Sequence, residues 1–244
     1  MTTAEPKQTT RSQTDVVISG IKAMIISGEL TAGSRLPVEK DLSATLNVSR
    51  GSLREGVRAL ATLGILETRQ GDGTYVTALN PASLLGSLGL LADLTPDAGT
   101  SDLLAVRRVL ESEAAALAAC RLTPAALEEM TELLDSTEAR IADASEEDLE
   151  AIIEADSAFH RMIAQASGNE PLTALIDSLM TRTFRARLWR AITEGGAVRS
   201  AHDEHVAILT ELRTGDPDRA RLRMAVHLLG VEEFMHEHST DSAT

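Results

Sequence analysis

Two groups of residues in this 244-residue chain have the types and spacing to do chemistry. Asp156 and His160 stand four apart, so a helix through them places both on one face, close to the apolar Ile152, Phe159 and Ile163. His205, among Val206, Ile208 and Leu209, falls on the next-but-one predicted helix, and His227, between Val226 and Leu228, on the last long one. Three imidazoles and one carboxylate suit a borderline divalent ion, zinc foremost, with nickel and manganese as alternatives. Spacing does not make them converge, because apolar helix faces also carry ordinary buried histidines, and His202 meets the same criterion as His205. His236 and His238 read as a solvated tail. In the second group, Ser49 is a natural helix N-cap followed by Arg50, Ser52 and Arg54. Arg50 and Arg54 are one helical turn apart, and arginine is the side chain best matched to the O6 and N7 atoms of guanine in a major groove.

The elements that must carry the basic group are short. Thr14 and Asp15 are placed to cap a first helix through Val17, Ile21, Met24, Ile25 and Ile26, ending near Gly28. Pro37 suits the first turn of a second helix bearing Leu42 and Leu46, and the third runs from Arg50 to Leu63 before Gly64. Residues 65–69 and 74–77 are β-prone runs around Gln70-Gly71-Asp72-Gly73, a hairpin pattern. Three helices and a β-wing predict a winged helix-turn-helix, whose recognition helix enters the major groove with its N-terminal NH groups facing phosphates. Beyond residue 80 the pattern is helical, broken at Thr95-Pro96, Thr123-Pro124, Gly168-Asn169-Glu170-Pro171, Gly195-Gly196 and Gly215-Asp216-Pro217, which predicts six or seven helices.

Composition agrees with a mainly α protein. Aromatic residues make up 2% against 43% hydrophobic, so the core rests on aliphatic side chains and alanines such as Ala114, Ala115, Ala116, Ala118 and Ala119. The net charge of -14 argues against a nucleic-acid partner until it is divided along the chain. Residues 1–80 hold 9 basic and 8 acidic side chains, the remainder 14 and 29, so the acidity belongs to the second part. The reading is a tail over residues 1–12, a DNA-binding domain over 13–79, an all-α effector domain over 80–238 and a tail over 239–244. The longest apolar stretch, residues 84–94, is broken by Gly86 and Gly89 and is far below the ~20 residues of a membrane span. No secretory signal is evident and a lone Cys120 forms no internal disulfide, so the expected location is cytoplasmic.

The string Gly33-Ser34-Arg35-Leu36-Pro37, Glu39-Lys40-Asp41-Leu42, Leu46-Asn47-Val48-Ser49-Arg50, Leu53-Arg54-Glu55, Leu63-Gly64-Ile65-Leu66 and Gly71-Asp72-Gly73-Thr74-Tyr75-Val76 resembles the GntR family of bacterial transcription regulators. The resemblance implies DNA contacts at Lys40, Ser49, Arg50, Ser52, Arg54 and wing Gly71. Lys40 stands where the family commonly has arginine, which keeps a phosphate charge and loses the bidentate fork. Arg107-Arg108-Val109-Leu110-Glu111, the alanines after it, Asp156, Phe159-His160, Ala166-Ser167-Gly168-Asn169, Glu204-His205, Gly215-Asp216, Met224 and His227-Leu228 look like the FCD ligand-binding domain of the FadR branch. That resemblance implies a divalent metal on Asp156, His160, His205 and His227, and a small carboxylate effector facing Arg107. Arg107 is also spaced for an ion pair with Glu111.

The leading expectation is therefore a homodimeric repressor, released from a palindromic double-stranded operator by a sugar acid or hydroxy acid. Two other classes stand beside it. A helical metallohydrolase fused to a DNA-binding head is disfavoured because His202-Asp203-Glu204-His205 lacks the spacing of a zinc-peptidase H-E-x-x-H pattern, and Glu204 points about 100° from His205. An architectural DNA binder would use the helical part only to dimerise.

Overall fold

The computed structural model describes residues 12–80, 100–142 and 148–239. The chain divides into two compact units, residues 1–84 and 85–244. The expected break at Thr95-Pro96, the 84–94 stretch and most of both tails lie outside the described residues.

The first unit begins with α1 (Gln13–Ile26), and its cap is Ser12 rather than Thr14. Ser12 Oγ accepts from the Asp15 NH while the Asp15 carboxylate accepts from the Ser12 NH, at 3.1 and 3.2 Å. Asp15 thus serves from the third helical position, completing a reciprocal box that leaves Thr14 inside the helix. Helix α2 (Glu39–Thr45) starts two residues after Pro37, because Val38 is extended at the N-cap. Helix α3 (Arg50–Thr62) is capped by Ser49, and Gly64 takes a left-handed φ of 73° just beyond it. Strands β1 (Leu66–Arg69) and β2 (Gly73–Val76) pair antiparallel with Leu66 opposite Val76 and Arg69 opposite Gly73. An isolated bridge joins Arg35 to Tyr75 and so ties the connection before α2 to the wing. Val17, Ile21, Leu42, Leu53, Leu60, Leu66 and Val76 form one core that fixes α3 against the other elements. At Gly56 a Cβ would lie 2.5 Å from Val17 Cγ1, so glycine is what lets α1 and α3 approach.

The second unit contains six helices among the described residues: α4 (Thr100–Ala119), α5 (Pro124–Ala142), α6 (Leu149–Ala166), α7 (Glu170–Thr193), α8 (Ala197–Thr214) and α9 (Pro217–Ser239). The starts of α5, α7, α8 and α9 follow the proline and glycine breaks in the sequence, whereas α6 begins at Leu149 with no such break before it. Asn169 caps α7 through its side chain, and Gly215 ends α8 with φ 71°. Ala114, Ala115, Ala116, Ala118 and Ala119 of α4 are buried, and α4 packs most extensively on α9. Small side chains there let the helix axes come close, where larger ones would hold them apart. The main core joins Ala115, Ala118, Met130, Phe159, Ile163, Ile208, Leu212, Met224 and Leu228. It places the facing sides of α6, α8 and α9 around one interior point. His238 departs from the solvated-tail expectation, stacking on Phe234 at 4.2 Å and meeting Trp189 edge-on. No helix among the described residues is long and apolar enough to cross a membrane.

Candidate functional site

In the first unit the basic residues are held in a hydrogen-bonded frame. Ser49 Oγ accepts from the Ser52 NH at 3.1 Å, and Ser52 Oγ donates to Gln13 Oε1 at 3.1 Å, fastening the start of α3 to α1. The Ser52 hydroxyl is therefore engaged by α1, while the Ser49 hydroxyl caps α3 and the Ser49 NH donates to Gln13 Oε1. Arg54 donates to both carboxylate oxygens of Glu39, Nε to Oε1 at 2.9 Å and Nη2 to Oε2 at 2.9 Å. That contact lowers the Glu39 pKa and raises that of Arg54, although both side chains remain exposed. Arg50 and Lys40 are exposed, and Gly71 turns the exposed wing tip with φ 78°. Between α2, α3 and the wing lies an open cavity of about 500 Å³ lined by Arg35, Arg54, Arg58, Thr68 and Thr74 among others. Arg58 was not among the sequence-derived contacts, yet it continues the one-turn series of Arg50 and Arg54. Arg35 holds the wing by donating to the Asp72 carbonyl. A Cβ on Gly73 would sit 2.6 Å from its Nε, so the glycine makes room for that clamp.

In the second unit Asp156, His160, His205 and His227 come together, one ligand atom from each lying within 4.8 Å of the others. The His227 Nε2 is 3.2 Å from that of His205 and 3.3 Å from that of His160. Asp156 Oδ1 is 3.5 Å from His205 Nε2 and 4.0 Å from His160 Nε2. Ligands about 2.1 Å from a common ion are separated by roughly 3.0–4.2 Å, so the set needs little adjustment to hold one. His202, the alternative to His205, is buried elsewhere, its Nε2 3.2 Å from Glu138.

The partners of these imidazoles explain the arrangement. His227 Nδ1 lies 2.7 Å from Glu204 Oε2, and His160 Nδ1 lies 2.5 Å from Glu111 Oε2. A carboxylate accepts only, so each Nδ1 carries the hydrogen and each Nε2 is left with a lone pair facing its neighbour. Lone pairs at 3.3 Å repel, and a cation between them removes the conflict. Burial supplies no protons instead. It pushes His227 down to about 4 even against the pull of Glu204, and holds His205 well below 6.5, with neighbouring His227 and His160 adding to the effect. Asp156 is oriented by Arg187, which donates to its second oxygen and to Ser157 Oγ. The residues present thus fit a divalent metal.

Arg107 lies beside this centre with no exposure. Its Nε donates to Glu111 Oε1 at 2.6 Å and its Nη1 to Thr183 Oγ1 at 2.8 Å, while Nη2 has no hydrogen-bond partner. The helical ion pair anticipated from spacing is present, and a donor is left over for an anion. Arg187 and Thr183 escaped the sequence reading, as did the contacts of Glu204 with His227 and of Glu111 with His160. Each meets its partner on another helix, a relation no local spacing records.

Residues 13–76 match the model described as bacterial regulatory proteins, gntR family, and residues 102–230 match the FCD domain. HTH-type transcriptional regulator LutR of Bacillus subtilis (strain 168) is 34% identical over 219 residues, which cover 87% of this chain and 96% of that protein. The Glc operon transcriptional activator of Escherichia coli (strain K12) is 37% identical over 172 residues, 70% of this chain and 67% of its own length. Among solved structures, Streptococcus agalactiae GntR superposes with a TM-score of 0.63 at 28% identity, covering 90% of this chain and 99% of that one.

Proposed function

The chain belongs to the GntR family of bacterial regulatory proteins and carries an FCD domain, and from that premise we propose that it is a cytoplasmic homodimeric repressor of the FadR branch, released from a palindromic operator by a small carboxylate. It is a transcriptional regulator, as its relatives are, and not an enzyme. In this reading Arg50 and Arg54 read base edges, Lys40 and the wing at Gly71 meet phosphates, and Ser49 and Ser52 set the recognition helix. One short helix reads only a few base pairs, so a second head on a symmetry-related half-site supplies the rest of the specificity. Repression is the simpler sign of control because occupancy of the operator suffices.

The observation that carries the sensing half is the convergence of three imidazole Nε2 atoms on the Asp156 carboxylate beside a buried guanidinium with an unused donor. Asp156, His160, His205 and His227 would hold a divalent ion, zinc foremost, with Arg187, Glu204 and Glu111 orienting them. When bound, that ion supplies a Lewis-acidic centre for the oxygens of a hydroxy acid or sugar acid. Arg107 would neutralise a carboxylate through Nη2, the stronger charge-assisted kind of hydrogen bond. The hydrolase alternative loses its base, because Glu204 is engaged by His227 Nδ1. A screen of hydroxy acids, sugar acids and dicarboxylates by thermal shift, with and without chelator, followed by band shifts on selected operator DNA, tests the whole reading. An acid that stabilises only the metal-loaded protein and lowers operator affinity about 5–150-fold is the expected result. Effector response that survives chelation, or tighter DNA binding with effector, would overturn it.

A further inference from the structure

Glu111 is 2% exposed on α4, and its two oxygens serve two different groups. Oε1 accepts from Arg107 Nε at 2.6 Å, and Oε2 makes a 2.5 Å ion-pair contact with His160 Nδ1 that is close but not aligned as a hydrogen bond, so neither atom has another partner among the described residues. A single buried carboxylate therefore joins the guanidinium with the unused donor to an imidazole of the Asp/His cluster. Resting on the metal reading given above, we propose that Glu111 is the positioning residue of both halves of the sensor: it fixes His160 with Nε2 available to a divalent ion, and it turns Arg107 so that Nη2 is left for an anion.

The argument is one of donors and acceptors. Arginine has no acceptor, so whatever occupies Glu111 Oε1 must accept from Arg107 Nε. That leaves Oε2 for His160, and an ionised carboxylate at Oε2 admits only the tautomer with hydrogen on Nδ1. The other nitrogen, 3.3 Å from His227 Nε2, then carries the lone pair a metal requires. On the Arg107 side, Glu111 and Thr183 consume Nε and Nη1 and fix the plane of the guanidinium, which leaves Nη2 as its undirected end.

The substitution Glu111→Gln separates these roles with almost no change in volume. The glutamine carbonyl must still face Arg107 Nε, so its NH2 faces His160 Nδ1 and forces that nitrogen to accept. The hydrogen moves to Nε2 and His160 leaves the ligand set. Thr183→Val is the control, since it removes the acceptor of Arg107 Nη1 without touching His160. Titration of the full chain with zinc against a chromogenic chelator should show Glu111→Gln binding 10–100-fold more weakly than wild type, and Thr183→Val within about twofold of it. Glu111→Asp, which keeps the charge, should recover part of the loss. Histidine 15N chemical shifts of the metal-free chain give a second readout: His160 carries its proton on Nδ1 in wild type and on Nε2 in Glu111→Gln. Zinc affinity and tautomer both unchanged in Glu111→Gln would overturn the proposal, as would an equal loss of affinity in Thr183→Val. A wild-type chain that binds no divalent ion would instead refute the metal reading beneath it, while the tautomer shift would still report on Glu111.

Discussion

If the four clustered side chains hold a divalent ion, its removal should destabilise one unit of the chain and leave the other alone. All four lie in residues 85–244, whereas the core of the first unit is built from other residues, Val17 to Val76. A ligand that binds only the folded state adds about 2.7 kcal/mol when its free concentration is a hundredfold above its Kd. For a unit of 150–250 residues each kcal/mol moves Tm by about 2–4 °C, so chelation should lower that transition by roughly 5–11 °C. Calorimetry of the full chain at buffered free zinc, then with chelator, measures it, and the head transition should stay within about 1 °C. His205→Ala makes the test specific. His205 is 4% exposed and packs on the Phe159 ring at a centroid distance of 4.8 Å, so its truncation lowers the starting Tm through lost packing alone. The informative quantity is the chelator-dependent difference, which should shrink to less than about 2 °C in the variant. An undiminished difference in His205→Ala, or a shift of the head transition equal to that of the helical unit, would refute the assignment of the metal to this cluster.

Other consequences follow from charge and packing. In the metal-free chain His227 is brought down to about 4 and His205 well below 6.5, so between those pH values the unfolded chain binds more protons than the folded one. Stability is then fully present above pH 6.5 and is lost as pH falls toward 4, by roughly 3 kcal/mol for His227 alone; urea melts of the chelated protein at pH 7, 5.5 and 4.5 should show that slope, and a flat profile would count against it. Arg54→Ala should cost about 1–3 kcal/mol on operator and relax base preference, whereas Lys40→Ala should weaken all sequences alike and reduce the salt slope by about one; band shifts on operator and scrambled DNA across a salt series separate the two. Gly56→Ala drives a methyl against Val17 and should destabilise the head by about 1–3 kcal/mol, seen as a lower first transition with the second unchanged.

The fold was legible wherever the signal is local. Proline and glycine mark the starts of α5, α7 and α9, and the glycines flanking the wing mark its turn, because each acts through its own backbone geometry. The cap of α1 was misplaced by two residues because Thr14 and Asp15 are both acceptable caps in isolation. Only the reciprocal Ser12–Asp15 pair shows which residue is outside the helix. His202 and His205 posed the same difficulty. They stand one turn apart on α8, and the rotation that turns one toward Glu138 on α5 and the other toward His227 on α9 is set by packing of the whole bundle.

The charges around the cluster show why the sensing reading needs its parts together. Arg107 and Arg187 are balanced by Glu111 and Asp156 when the imidazoles are neutral, so the metal-free centre is close to charge-neutral in a buried setting. A divalent ion on the same ligands leaves an excess of positive charge, relieved only in part by Glu204 at the rim, and a buried excess of that kind is costly until an anion accompanies it. The unpartnered Nη2 of Arg107 and Nε of Arg187 are donors available to that anion. Metal occupancy would therefore create the demand for a carboxylate, which places the ion in the role of a resident component and the acid in that of the signal. The neutral metal-free centre has no such demand. Isothermal titration of a responsive acid into chelated protein should give no measurable heat, while the zinc-loaded chain binds it; equal affinity in the two forms would mean that Arg107 and Arg187 recognise the anion without the ion, and the coupling argued from charge would be wrong.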